Sequence, residues 1–174
     1  ARWGGSFVQE GCHMMLERED GIMGVKAVAD EHEVDKDSVN AGGAPVTVNT
    51  GACFFDSATS FVAIRGGHVD KTVLGALQVD EMGSLASHII PGKIVPGMGG
   101  AMDLVTGSKK VIVTMTHTAK GGAPKILKKI ALPATAVGKV NLIVTELAVI
   151  EVLPGGGLLL KEVAEGATPQ QVQE

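Results

Sequence analysis

Residues 61–102, FVAIRGGHVDKTVLGALQVDEMGSLASHIIPGKIVPGMGGAM, set eight glycines among short apolar runs. Glycine costs backbone entropy in a packed element, but it tolerates positive φ and lets another group approach the main chain. Glycines that punctuate apolar runs therefore suggest loops that present amide N–H groups to a ligand. Working outward, Asp56 or Ser57 is placed to cap a helix that runs to Arg65, with Gly66 as its stop. Residues 73–79 (VLGALQV) predict a strand, glycine-rich connections follow to about residue 100, and 101–105 predict a short helix. The β-branched run 110–115 (KVIVTM) is the clearest buried strand. Further strands are expected at 45–50 (PVTVNT), 142–145, 148–153 and 158–163, and a terminal helix opens at Thr168. The stretch 18–40 reads as a polar, acidic loop, with DEHEVDKD at 30–37 as a solvated charge run. Strands alternating with helices predict an α/β fold, an open, mostly parallel sheet covered by helices. Without an internal repeat or low-complexity linker, 1–174 reads as a single domain.

Composition narrows the function classes. With 45% hydrophobic residues and a mean hydropathy of +0.26, the chain has the means to bury a core. Four Phe, one Trp and no Tyr require that core to be aliphatic. The same scarcity of aromatics, with a net charge of −4, argues against nucleic-acid partners, which need stacking platforms and a basic footprint. No apolar run reaches the roughly 18 to 20 residues of a membrane span, so no membrane is expected. Cys12 and Cys53 lie outside any CxxC spacing, which fits thiols in a reducing compartment, the cytoplasm or a mitochondrial matrix. The five histidines show no HxH or HExxH spacing, so no metal site is expected. His68, after two glycines, reads as a structural hydrogen-bonding residue. Gly97-Met98-Gly99-Gly100-Ala101-Met102 fails as a GxGxxG fingerprint at its last position, which disfavours a dinucleotide. No serine occupies a GxSxG elbow.

Glu19, in Glu17-Arg18-Glu19-Asp20, has by itself the look of a solvated turn. Its neighbours change that reading. Glu19-Asp20-Gly21 resembles a glutamate-asparagine-glycine motif of the 3-oxoacid CoA-transferases, in their second (B or beta) subunit. The blocks NAGGAPVT (40–47), GACFFDSATSF (51–61), IRGGHVD (64–70), LGALQV (74–79), IPGKIVPGMGGAMDLV (90–105), KVIVTMTHTAKGGAPKIL (110–127) and LPATAVGKVNLIVTELAVIEV (132–152) follow in the family order. The resemblance covers almost the whole chain.

The resemblance implies a CoA-transferase-type α/β domain. It implies that Glu19 is the nucleophile, forming a glutamyl-CoA thioester while CoA moves between an acyl-CoA, such as succinyl-CoA, and a carboxylate, such as a 3-oxoacid. Gly97, Gly99, Gly100 and Ala101 match a glycine-rich CoA-contacting loop, whose alternative is a tight packing loop. Gln78 matches a family glutamine near the CoA chain, and equally a polar residue closing a buried strand. CoA enters as substrate, and no bound cofactor is implied. The implied partner is a homologous A subunit in a hetero-oligomer. The family pattern includes an earlier strand and glycine segment, so the chain reads as a processed or incompletely represented subunit, short at its N-terminus. Asp20 replaces the usual asparagine, and an ionised Asp20 is expected to repel charge developing at Glu19. Two other readings stay open, an acyl-CoA hydrolase on the same scaffold and a non-catalytic partner or sensing subunit.

Overall fold

Branched aliphatic residues build the strands of this chain and glycines turn its corners. The structure, a computed structural model, describes residues 12, 14–28, 32, 35–39, 44–93 and 97–173. Positions 30, 31, 33 and 34 of the acidic run, 40–43 of the NAGG block, 94–96 of the glycine-rich stretch and His13 lie outside the described residues. Two compact units divide the chain, Ala1–Ile64 and Arg65–Glu174.

In the first unit, β1 (Glu17–Arg18), β2 (Ile22–Val28) and β3 (Val46–Phe54) form an antiparallel three-stranded sheet in that order. Ile22, Val25 and Val46 are its buried core, with Leu16 and Val48 packed against them. Residues 22–28 were expected to be loop. Gly24, at φ +92°, interrupts their apolar alternation and lies against Ala52, and the register shifts on either side of Val25. A bulged strand of this kind hides its period. Likewise β3 runs beyond the expected 45–50, through Gly51 at φ +88°. Helix α1 (Ser57–Arg65) begins as expected: the Asp56 carboxylate accepts the Thr59 N–H at 2.7 Å, and that bond holds its pKa below the usual aspartate range.

The second unit is built on a five-stranded sheet. Its members are β4 (Lys71–Gly75), β7 (Lys110–Thr114), β9 (Val140–Val144), β10 (Ala148–Val152) and β11 (Leu158–Val163), in the order β11-β10-β9-β7-β4. A smaller sheet has the order β6-β5-β8, from β5 (Gln78–Asp80), β6 (Leu85–Ala86) and β8 (Ile126–Leu127). Helices α2 (Ala101–Gly107) and α3 (Pro169–Gln173) contact β4 and β11. The expected α/β class and open sheet hold. The sheet is mixed, however, where mostly parallel strands were expected: β4, β7 and β9 run parallel, while β9-β10 and β10-β11 are antiparallel. The connections explain this. Only 145–147 and 153–157 join these last three strands, too short for the crossover that parallel neighbours need. The expected strand 73–79 is also two strands in two sheets, since the chain leaves β4 at Gly75 and re-enters a ladder at Gln78.

The core is aliphatic, as composition required. Val79, Leu85, Val105, Val111, Val113, Val140, Ile143, Ala148 and Ile150 form one buried cluster. One polar side chain repairs the ladder at its centre. The register between β7 and β9 shifts at Val111, and the Asn141 side-chain oxygen accepts the Val111 N–H at 2.8 Å.

Asp80, which the sequence reading did not single out, is 3% exposed at the end of β5. Its carboxylate accepts backbone N–H bonds from Met82 (3.1 Å), Ser84 (2.8 Å) and Ile130 (3.3 Å). It replaces water for a turn and a distant loop at once. Asp80→Ala should therefore lower unfolding free energy by about 3 kcal/mol or more, because it strands those donors, while Asp80→Asn costs less. Urea denaturation of both variants checks this; an alanine variant as stable as the parent would contradict the role.

Candidate active site

Glu19 stands at a tight corner. The ladder pairs Glu17 with Met23 and Arg18 with Ile22, so Glu19, Asp20 and Gly21 form a three-residue hairpin loop. The Gly21 N–H donates to the Arg18 carbonyl at 3.0 Å, and Gly21 takes φ +114°. Loops of this length favour a turn followed by a residue at positive φ, which glycine enters without strain. A second constraint is stricter. A Cβ on Gly21 would lie 1.8 Å from the Phe55 carbonyl oxygen, because the Phe55 N–H donates to the Gly21 carbonyl at 2.9 Å. Only glycine permits the approach, and that approach fixes the loop against the end of β3.

Around this loop sit further polar side chains. Arg18 forms an ion pair with Asp20 through its terminal guanidinium nitrogen. Asp20 thus has a neighbouring cation as its partner. The Arg18 Nε is buried without a hydrogen-bond partner among the described residues. Glu17 accepts a hydrogen bond from the Ser60 hydroxyl at 2.7 Å, and Ser60, on α1, is 0% exposed. Burial pushes the Glu17 carboxyl above the usual glutamate range; the Ser60 hydroxyl opposes this shift, and the Glu19 and Asp20 charges add to it. Neither Glu17 nor Ser60 was named as a site residue from sequence. The only available signal was a serine inside a helical segment with apolar neighbours, SATSFVAIR.

Gln78 and the glycine-rich loop belong to the second unit. The Gln78 side-chain oxygen accepts the N–H groups of Ala131 (2.9 Å) and Leu132 (3.0 Å), so the ordinary structural explanation for this glutamine applies. It also borders a cleft of about 280 Å³ lined by Leu77, Ile90, Thr116, Lys125 and Leu132 among others. There the Lys125 ammonium reaches the Thr116 hydroxyl at 3.2 Å, and burial lowers its pKa against the opposing charge of Glu146. Gly97 and Gly99 are exposed, and nothing stands within 4 Å of where their Cβ atoms would be. Gly99 takes φ +56°, and the buried Gly100 precedes Ala101, the first residue of α2, without a side-chain cap. Gly97 to Gly99 are thus exposed and lead through the buried Gly100 into the start of α2, while Gln78 lies on another element.

Of the remaining polar candidates, one is built into the fold. His117 is buried, its ring bonded to Thr145 (3.1 Å) and to the Val172 carbonyl (3.0 Å). His68, Lys93 and Lys120 are exposed. Among the described residues no group of three or more His, Cys, Asp or Glu is placed to hold a metal ion, and no helix is long and apolar enough to cross a membrane. Cys12 and Cys53 are free and exposed.

Comparison with known proteins agrees with the motif order: a family model described as coenzyme A transferase matches residues 9–174. The chain belongs to the coenzyme A transferase family. Among curated members, it is 52% identical over 161 residues to the beta subunit of acetate CoA-transferase from Escherichia coli K12, covering 92% of this chain and 73% of that protein. It is 46% identical over 164 residues to the B subunit of succinyl-CoA:3-ketoacid coenzyme A transferase from Helicobacter pylori, covering 94% and 79%. A crystal structure of an acyl-CoA transferase from Escherichia coli O157:H7 superposes with a TM-score of 0.67 at 26% identity, over 90% of this chain. The chain spans 31% of that protein's length. The expected family, CoA-transferase class and B-type subunit are thereby borne out.

Two outcomes test this CoA-transferase loop. Gly21→Ala should disrupt the hairpin and lower stability, because the added methyl group cannot coexist with the Phe55 carbonyl; thermal unfolding measures it, and an unchanged midpoint would refute the close approach. Glu17, with its raised pKa, contributes stability that is fully present below the usual glutamate value of about 4.3 and is lost as pH rises through its folded value. Glu17→Gln should therefore match the parent at the acid end and gain on it as pH increases, which a series of urea midpoints across pH will show.

Proposed function

We propose that the chain is the nucleophile-bearing subunit of a CoA-transferase that moves CoA between an acyl-CoA, such as succinyl-CoA, and a carboxylate, such as a 3-oxoacid. The observation that carries the reading is Glu19 at the tip of a glycine-locked hairpin, inside the family motif. Support for a covalent route comes from the Escherichia coli O157:H7 acyl-CoA transferase, which is described as a thioester complex with CoA. The names of the curated relatives, acetate in one and succinyl-CoA with a 3-ketoacid in the other, favour short-chain carboxylic acids as substrates.

In this mechanism the Glu19 carboxylate attacks the thioester carbonyl, and collapse expels the CoA thiolate and leaves a mixed anhydride. The thiolate then attacks the Glu19 carbonyl, releasing the donor acid and forming the glutamyl-CoA thioester. An acceptor carboxylate reverses both steps and regenerates free Glu19. The cycle is ping-pong, since one covalent intermediate joins two half-reactions. Each tetrahedral oxyanion needs amide donors, and the anhydride needs shelter from water. Gly97, Gly99, Gly100 and Ala101 are the proposed CoA contacts: Gly97 and Gly99 are exposed with nothing where their Cβ atoms would stand, and they lead through Gly100 to the first residue of α2. Gln78 is proposed to lie near the CoA chain through its amide N–H, its oxygen being already engaged. Asp20 is proposed to act through Arg18, holding a cation at the loop.

Residues 1–174 are proposed to act as one B-type domain, completed by a homologous A subunit in a hetero-oligomer of the cytoplasm or a mitochondrial matrix. The subunit names of the bacterial relatives support the partnership.

Glu19→Ala should abolish CoA transfer with little loss of stability, because the side chain is not part of either buried cluster. Incubating the assembled enzyme with acyl-CoA and a hydride donor, then mapping the reduced residue by mass spectrometry, tests the assignment. Reduction elsewhere, or full activity of the alanine variant, overturns it. Isotope exchange between free acid and acyl-CoA separates transfer from hydrolysis, which would instead show net thiol release.

A further inference from the structure

Two residues before Glu19 lies a second carboxylate that the transfer reaction does not use. Strand β1, which leads into the Glu19 loop, has only two residues and two ladder pairs with β2. Such a short edge strand has little of its own to hold it. Backbone bonds at Leu16 and Gly21 hold its two ends, and Glu17 adds a side-chain anchor between them by accepting the Ser60 hydroxyl at 2.7 Å, across 43 positions of sequence. Ser60 also lies 3.4 Å from the Arg18 carbonyl, the next group along the same strand. A fully buried serine is costly unless its hydroxyl is paired, and mid-helix serine gains nothing from propensity. The hydroxyl is aimed at the root of the nucleophile's loop.

We propose that Glu17 and Ser60 are positioning residues for Glu19: their hydrogen bond clamps the strand that carries the nucleophile to helix α1 and sets where its carboxylate stands. The inference rests on the reading of Glu19 as nucleophile. The groups that act on Glu17 are Ser60 from α1, and Glu19 and Asp20 from the loop, with Arg18 engaged by Asp20.

The test is the single-turnover rate of thioester formation, followed by hydride trapping, in the chain assembled with its partner subunit. Ser60→Ala and Glu17→Ala are expected to lower kcat and the trapping rate at least about tenfold, toward the roughly hundredfold that a 1 Å misplacement can cost, with KM for acyl-CoA nearly unchanged. Glu17→Gln, whose amide oxygen accepts the same hydroxyl, should recover most of the rate lost in Glu17→Ala. That rescue separates positioning from mere stability, and it stands even if Ser60→Ala does not fold. Wild-type enzyme trapped at Glu19 with folded Ser60→Ala trapped equally fast overturns the clamp alone. A glutamine variant as slow as the alanine variant also overturns it. Trapping of wild-type enzyme at another residue overturns the Glu19 reading, and the clamp with it.

Discussion

A carbonyl oxygen standing where a methyl group would have to go is the constraint on which the loop that carries Glu19 depends. Gly21 and Phe55 share a backbone hydrogen bond at an approach that excludes any Cβ on Gly21. The contact holds the hairpin loop against the end of β3, and Glu19 is two residues away on that loop. The backbone thus holds the turn that carries Glu19, and the Ser60–Glu17 hydrogen bond holds the strand that leads into it.

The polar groups around that loop divide into compensated and buried. The largely buried Arg18 pairs with the exposed Asp20, whereas Glu17 is held by a hydroxyl with no surface of its own. The second unit uses the same device on a larger scale, with Asp80 and Gln78 each gathering backbone N–H groups from the loop at 130–132. Both units thus pin irregular chain with side-chain oxygens, which suits a protein with 24 glycines and little regular structure between its strands.

Relatives with different acid names share this chain's pattern, at 52% and 46% identity. Similarity of this extent to subunits named for different acids places the chain in the family without choosing among those acids.

Much of the fold was legible in order and composition. The β-branched run at 110–115 had to be a buried strand, α1 had to begin at Asp56 or Ser57 and end at Arg65 before a glycine, and a chain with so few aromatics had to pack Val, Ile and Leu. The family and the candidate nucleophile were legible too, because motif order survives in sequence. What sequence periodicity missed was β2, interrupted by Gly24, and the split of 73–79 between two sheets, because bulges and exits from a ladder leave no period. Tertiary structure alone decided that Gly21 meets Phe55, that Ser60 reaches Glu17 and that Asp80 gathers Ile130. Each joins residues tens of positions apart through one hydrogen bond or one excluded methyl group, and contacts of that kind exist only once the strands have paired.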